Sequence, residues 1–329
     1  MKKILIITLC VLLFAGVLSS CGNGPKDDGK IKIVTTVFSE YDWVREIVGD
    51  QKDRFDIKLL IDSGADLHSY QPTADDMVTI SSCDLFVYVG GESDNWVHDV
   101  LKTVRNTDMI VIDLMDALGD RVKEEEIKEG MEADHDHDEE HDHEEEEEEE
   151  TEYDEHVWLS LKNAAILVQE IEKKIETLDP DNEAAYKKNA ADYVSKLNAL
   201  DARYREAVDG ATCKTLLFGD RFPFRYLTDD YGLDYYAAFV GCSAESEASF
   251  ETIRFLVDKV DELELKSIMV IESSDKRIAN TIKSQTANKN QTILILDSLQ
   301  SVTAKRVQEG ATYLGIMEDN LTVLQNALK

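Results

Sequence analysis

Four histidines, His135, His137, His141 and His143, are spaced through a run of carboxylates that continues unbroken from Glu144 to Glu150. Imidazole and carboxylate together are the ligand set of a borderline divalent cation, zinc above all. The stretch has no apolar face, so it contributes nothing to a core. Glutamate alone would make a solvated acidic linker, and histidines at two-residue spacing add a ligand that such a linker does not need. The stretch therefore reads as a metal-capturing loop within about residues 124–155, without order when metal-free.

Outside that loop the histidines are His68, His98 and His156. His68 falls in the loop after the second expected strand, and His156 directly follows the acidic run. Asp220 follows the apolar Leu216-Leu217-Phe218-Gly219, and Asp297 follows Ile293-Leu294-Ile295-Leu296. In open parallel sheets ligands bind beyond the carboxyl ends of the strands, which places these four side chains to converge on a cleft. For each aspartate a helix cap is the alternative role. His98, beside Trp96 in a helical stretch, reads as a surface or packing histidine.

The elements that must position them alternate. β-Branched and apolar runs predict strands at 31–39, 55–61, 84–90, 109–114, 214–219, 235–240, 267–272 and 291–296. Helical spacing covers 40–48, 96–104, 159–178, 181–208 and 310–328, and Thr73 is placed to cap a helix through Met77 and Ile80. Strand–helix alternation implies an α/β fold of two lobes, each a mostly parallel sheet flanked by helices. The expected lobes are 31–178 and 210–329, bridged by one long helix within 179–209.

The formal net charge is -33, and residues 124–155 hold 21 acids against one lysine, so -20 of it is local. Such a chain repels nucleic acid and attracts cations. Lys2 and Lys3 precede an apolar run over 4–17 that is short for a membrane span, ending in Leu18-Ser19-Ser20-Cys21. This resembles the bacterial lipobox, implying a signal over 1–20, a lipid on Cys21 and a tether over 21–30. An ordinary secretory signal is the alternative. Cys83, Cys213 and Cys242 then remain, with no CxxC spacing and no disulfide framework. Cys83, entering an apolar strand, reads as a buried structural thiol.

Gly64-Ala-Asp-Leu-His68-Ser-Tyr-Gln-Pro-Thr73 is similar to a Gly-x-Asp-Pro-His-x-Tyr-x-Pro loop, with Leu67 in place of the proline. Asp154-Glu-His156-Val-Trp-Leu159 resembles an Asp-Pro-His-x-Trp-Leu element, and residues 313–328 resemble a closing helix. Together they make the chain similar to the metal-binding lipoprotein subunit of bacterial ABC importers for zinc or manganese. The resemblance covers everything after the tether. It implies two lobes with one metal between them, His68 and His156 as ligands from the first lobe, and Asp297 at a carboxylate position. The third position is a histidine in zinc-type members and a carboxylate in manganese-type members. Asp220 fits it only with one extra residue before Tyr226. Glu272 stands as a reserve ligand, and Glu245, Glu247 and Cys242 as further residues bordering the cleft.

The resemblance implies a monomeric, membrane-anchored protein that captures Zn(II), with Mn(II) as the alternative, and delivers it to an ABC permease and its ATPase, the acidic histidine-bearing loop serving as an accessory collector. A surface metal buffer or adhesin would use the same site without a permease. An enzyme is not expected, because the chain has no His-Glu-x-x-His, Gly-x-Ser-x-Gly or Walker loop.

Overall fold

β1 (Ile31–Thr35), β2 (Phe55–Leu59), β3 (Leu85–Tyr88) and β4 (Ile110–Asp113) form one sheet in the order β2-β1-β3-β4. β5 (Thr215–Phe222), β6 (Asp234–Val240), β7 (Ser267–Val270) and β8 (Thr292–Ile295) form a second, β6-β5-β7-β8. Every pairing in both is parallel. Strands such as Ile33–Thr35 and all of β7 are buried, as expected where helices cover both faces. In each sheet the order reverses beside the first strand, β1 or β5. Such switch points open a crevice at the carboxyl ends of the strands.

These elements belong to a computed structural model that describes residues 29–132, 152–243 and 247–329. The four loop histidines, Glu245 and Cys21 lie outside the described residues. Residues 31–329 form one compact unit. Among the described residues no helix is long and apolar enough to cross a membrane.

Two boundaries differ from expectation for local reasons. β1 stops at Thr35, because the Glu40 carboxylate accepts the backbone N–H of Thr36 at 2.8 Å and of Val37 at 3.2 Å. That capping starts the helix Phe38–Val48 earlier than residue 40. β5 continues to Phe222 with a register shift between Phe218 and Arg221 against β6, so Asp220 lies inside a strand irregularity and not in a loop after it.

The helix Glu183–Asp209 is 27 residues long, about 40 Å at 1.5 Å per residue. It buries Tyr186, Ala190, Tyr193, Leu197, Leu200, Tyr204 and Val208, a single stripe. At its far end the Tyr204 hydroxyl donates to the Met317 carbonyl at 2.6 Å, tying it to the closing helix Tyr313–Ala327. One continuous core takes residues from both sheets. Buried bonds cross between them: Trp158 Nε1 donates to the Ser298 carbonyl at 2.9 Å, and Tyr313 hydroxyl to the Trp158 carbonyl at 2.6 Å.

Candidate metal centre

His68 sits in a short 3₁₀ turn, Leu67–Ser69, beyond the carboxyl end of β2. The Asp66 carboxylate accepts the His68 backbone N–H at 3.1 Å and so sets that turn. His156 immediately precedes another such turn, Val157–Leu159, and its backbone N–H donates to Asp154 Oδ1 at 2.8 Å. These two local turns bring the Nε2 atoms to 3.2 Å from each other. Tetrahedral zinc with Zn–N of about 2.0–2.1 Å needs an N···N separation of roughly 3.3–3.4 Å. The pair is thus already close to ligating geometry.

The outer nitrogens are occupied. His156 Nδ1 lies 3.0 Å from Asp154 Oδ1, and since a carboxylate only accepts, Nδ1 carries the proton. His68 Nδ1 lies 2.7 Å from Ser93 Oγ and 3.5 Å from Glu155 Oε2. Each ring therefore presents Nε2 inward with a carboxylate behind it, the arrangement that fixes metal-binding imidazoles. Burial opposes charge on His156, but Asp154, Glu155 and Asp66 outweigh it and raise its pKa above the ordinary value. Burial, followed by His156 and Arg221, pushes His68 well below its ordinary value.

Cys242 completes the cluster. It follows β6, and its Sγ and the two histidine nitrogens lie within 4.8 Å of one another. Burial pushes its thiol well above the ordinary range, with Asp154, Glu125 and Glu155 adding to the shift. Gly241, just before it, packs against His156: a Cβ there would lie 3.0 Å from His156 Cε1 and 2.9 Å from the Phe222 carbonyl. A cavity of about 250 Å³ opens onto the cluster, lined by His68, Cys242, Glu92, Glu125, Glu152 and Glu155. Glu125 and Glu152 flank the acidic loop. Its two ends are joined by the Glu124–Tyr153 bridge and by a 3.0 Å bond from Glu125 N–H to the Glu152 carbonyl. Burial raises Glu125 to about 7.

The other expected ligands stand apart from this cluster. Asp297 accepts from Arg306 Nη2 at 2.8 Å and from the Leu299 backbone N–H at 2.9 Å. Glu272 accepts the backbone N–H and hydroxyl of Ser298 at 2.8 and 2.9 Å. Asp220 lines a different cavity, of about 290 Å³, with Ser274 and Asp275. Glu247 is exposed beside Arg277, and His98 is exposed on its helix. Sequence reasoning did not find Asp154, Glu155 and Ser93 as supports, nor Arg221, whose guanidinium pairs with Asp66 and donates to the Ser243 carbonyl at 3.3 Å. The signal available for Asp154 and Glu155 was their position directly before a histidine.

Two parallel α/β sheets sharing a core with a long helix, and a histidine pair between them, define a solute-binding fold of the metal-uptake type. A family model described as zinc-uptake complex component A, periplasmic (ZnuA), matches residues 33–327, and the chain belongs to that family. It is 34% identical over 331 residues to the zinc-binding lipoprotein AdcA of Streptococcus pneumoniae, covering 99% of this chain and 61% of that protein. It thus spans about three fifths of the length of that relative. It is 32% identical over 325 residues to the high-affinity zinc uptake system protein ZnuA of Bacillus subtilis, covering 98% and 96% of the two chains. The Zn(II)-bound ZnuA-like domain of S. pneumoniae AdcA superposes with a TM-score of 0.70 at 29% identity, over 91% of this chain and 99% of that one.

Proposed function

We propose that this chain is the extracytoplasmic zinc-binding component of an ABC importer, taking up Zn(II) at the His68–His156 pair and presenting it to a membrane permease with its ATPase. The observation that carries the reading is the 3.2 Å approach of two Nε2 atoms whose outer nitrogens are held by Asp154 and by Ser93 with Glu155. Names of relatives on both length scales, AdcA and ZnuA, support zinc as the cargo. Imidazole favours zinc over the harder manganese ion, which prefers oxygen.

The role is capture without catalysis. The acidic, histidine-bearing loop collects cations, and its joined ends deliver them to a cavity that already contains His68. Lipid on Cys21 would hold the protein at the membrane surface, beside its permease. Isothermal titration of zinc into the His68→Ala/His156→Ala variant with residues 133–151 deleted tests the site against the loop-deleted parent. High-affinity binding is expected in the parent and absent in the variant; unchanged tight binding overturns the reading.

A further inference from the structure

We propose that Cys242 supplies the third metal ligand, so that the cargo ion is held by two imidazoles and a thiolate; this rests on the zinc-binding reading above. Among the described residues, His68, His156 and Cys242 are the group whose ligand atoms lie within 4.8 Å of one another. A tetrahedral ion with Zn–N near 2.05 Å and Zn–S near 2.3 Å needs N···S of roughly 3.6 Å, so from within 4.8 Å Sγ has to close by at most about an ångström. Cys242 faces the same cavity as His68, and its backbone N–H donates to Glu125 Oε1 at 3.3 Å, which fixes the turn that carries it.

Arg221, Asp297 and Glu247 do not compete. Arg221, the residue of β5 next to the cluster, offers only donors and is committed to Asp66 and the Ser243 carbonyl. Asp297 is paired with Arg306, and Glu247 points to solvent beside Arg277. Sulfur arrives instead from the end of β6, across Gly241, whose bare Cα lets the strand end pass against the His156 ring. Binding forms a metal–sulfur bond as the S–H bond breaks, the proton passing to solvent. A thiolate strengthens the preference for zinc over manganese.

Cobalt(II) reports the ligand directly, because thiolate ligation gives a near-ultraviolet charge-transfer band that imidazole and carboxylate do not. The loop between 133 and 151 has no cysteine, so the full chain serves. Titration with cobalt is expected to raise this band in the native sequence and stoichiometric zinc to bleach it. Cys242→Ser and Cys242→Ala should abolish the band while retaining weaker cobalt binding, with zinc affinity lowered at least about tenfold. In native protein zinc should also shield Cys242 from iodoacetamide, read by peptide mass. A zinc-displaceable cobalt complex without the band, a band that survives in both variants, or alkylation of Cys242 unaffected by zinc overturns the ligand assignment and leaves the zinc-binding reading standing. Failure of the loop-deleted chain to bind cobalt or zinc overturns both.

Discussion

His68 and His156 meet through their Nε2 atoms at 3.2 Å although 88 positions separate them in the chain. At that distance one nitrogen donates and the other accepts, so the metal-free pair holds its shared proton in the space a cation would take. The environments divide the roles. His68 is pushed to the neutral form by burial beside a second imidazole and Arg221. His156 is buried too, but the carboxylates of Asp154, Glu155 and Asp66 favour its charged form.

The pH dependence of binding follows from that division. With its pKa lowered, His68 is neutral through the ordinary histidine range and releases no proton to an incoming ion. With its pKa raised, His156 is protonated there and must lose that proton. Zinc affinity should therefore fall as pH drops through the raised His156 value and below, by about tenfold per unit for the His156 proton and about tenfold more per unit for the Cys242 thiol proton displaced by the metal. Calorimetry in buffers of different ionisation enthalpy counts the protons; affinity that stays flat between roughly pH 8 and 5.5 contradicts the assignment.

Asp154→Asn removes the charge behind His156 while keeping the shape. The amide can still accept from Nδ1–H, but it no longer raises the basicity of the ring, and zinc affinity should fall about 10–100-fold. The metal-free protein should keep its circular dichroism. A variant with parental affinity would show that the Asp154–His156 contact of 3.0 Å contributes only to the loop fold.

Gly241 limits the same ring from the other lobe. A methyl group there would meet His156 Cε1 at 3.0 Å and the Phe222 carbonyl at 2.9 Å, and the backbone oxygen cannot give way cheaply. Gly241→Ala is expected to displace His156 and the turn to Cys242 together, weakening zinc about tenfold or more. Competition with a chromophoric chelator measures this.

Tyr313 tests the bond that ties the closing helix to the first lobe. Its hydroxyl is fully buried and donates to the Trp158 carbonyl at 2.6 Å. Tyr313→Phe leaves that carbonyl without its donor, two residues from His156, at a cost of about 1–3 kcal/mol in unfolding free energy. Denaturant titration of metal-free protein should show the midpoint fall with an unchanged slope. An unshifted midpoint would mean the carbonyl finds another partner.

All eight strands among the described residues were legible, because stretches such as Ile33–Thr35 and Ile268–Val270 are β-branched or apolar and buried. The long helix was legible from its uninterrupted stripe from Tyr186 to Val208. His68 and His156 stood out because histidines are scarce outside the loop. What periodicity cannot carry is register inside an irregular strand: one shift in β5 turns Arg221, not Asp220, toward the 64–73 loop and into its pair with Asp66. Nor does spacing say which strand-end acid is already claimed by an arginine, as Asp297 is by Arg306. Cys242 was visible at the end of β6, but nothing in the sequence ranks a thiol above its glutamate neighbours.

Deleting residues 133–151 separates collection from retention. The cut falls outside the stapled ends, since the Glu124–Tyr153 bridge and the 2.9 Å bond from Asp154 N–H to the Lys123 carbonyl hold the strands of the loop base together. Asp154 in turn fixes His156, and the Tyr226 hydroxyl donates to the Asp154 carbonyl at 2.7 Å, so the ligating turn is anchored without help from the loop. The high-affinity site should therefore survive with its affinity little changed. The association rate should fall, because much of the chain's negative charge and four histidines leave with the loop. The rate difference should shrink as salt screens the field, over a Debye length of about 10 Å at 0.1 M. Stopped-flow mixing of zinc with each chain against a fast chelator indicator measures this. Equal rates at low ionic strength would remove the loop from the capture step, and lost affinity would place a ligand of the retained site within it.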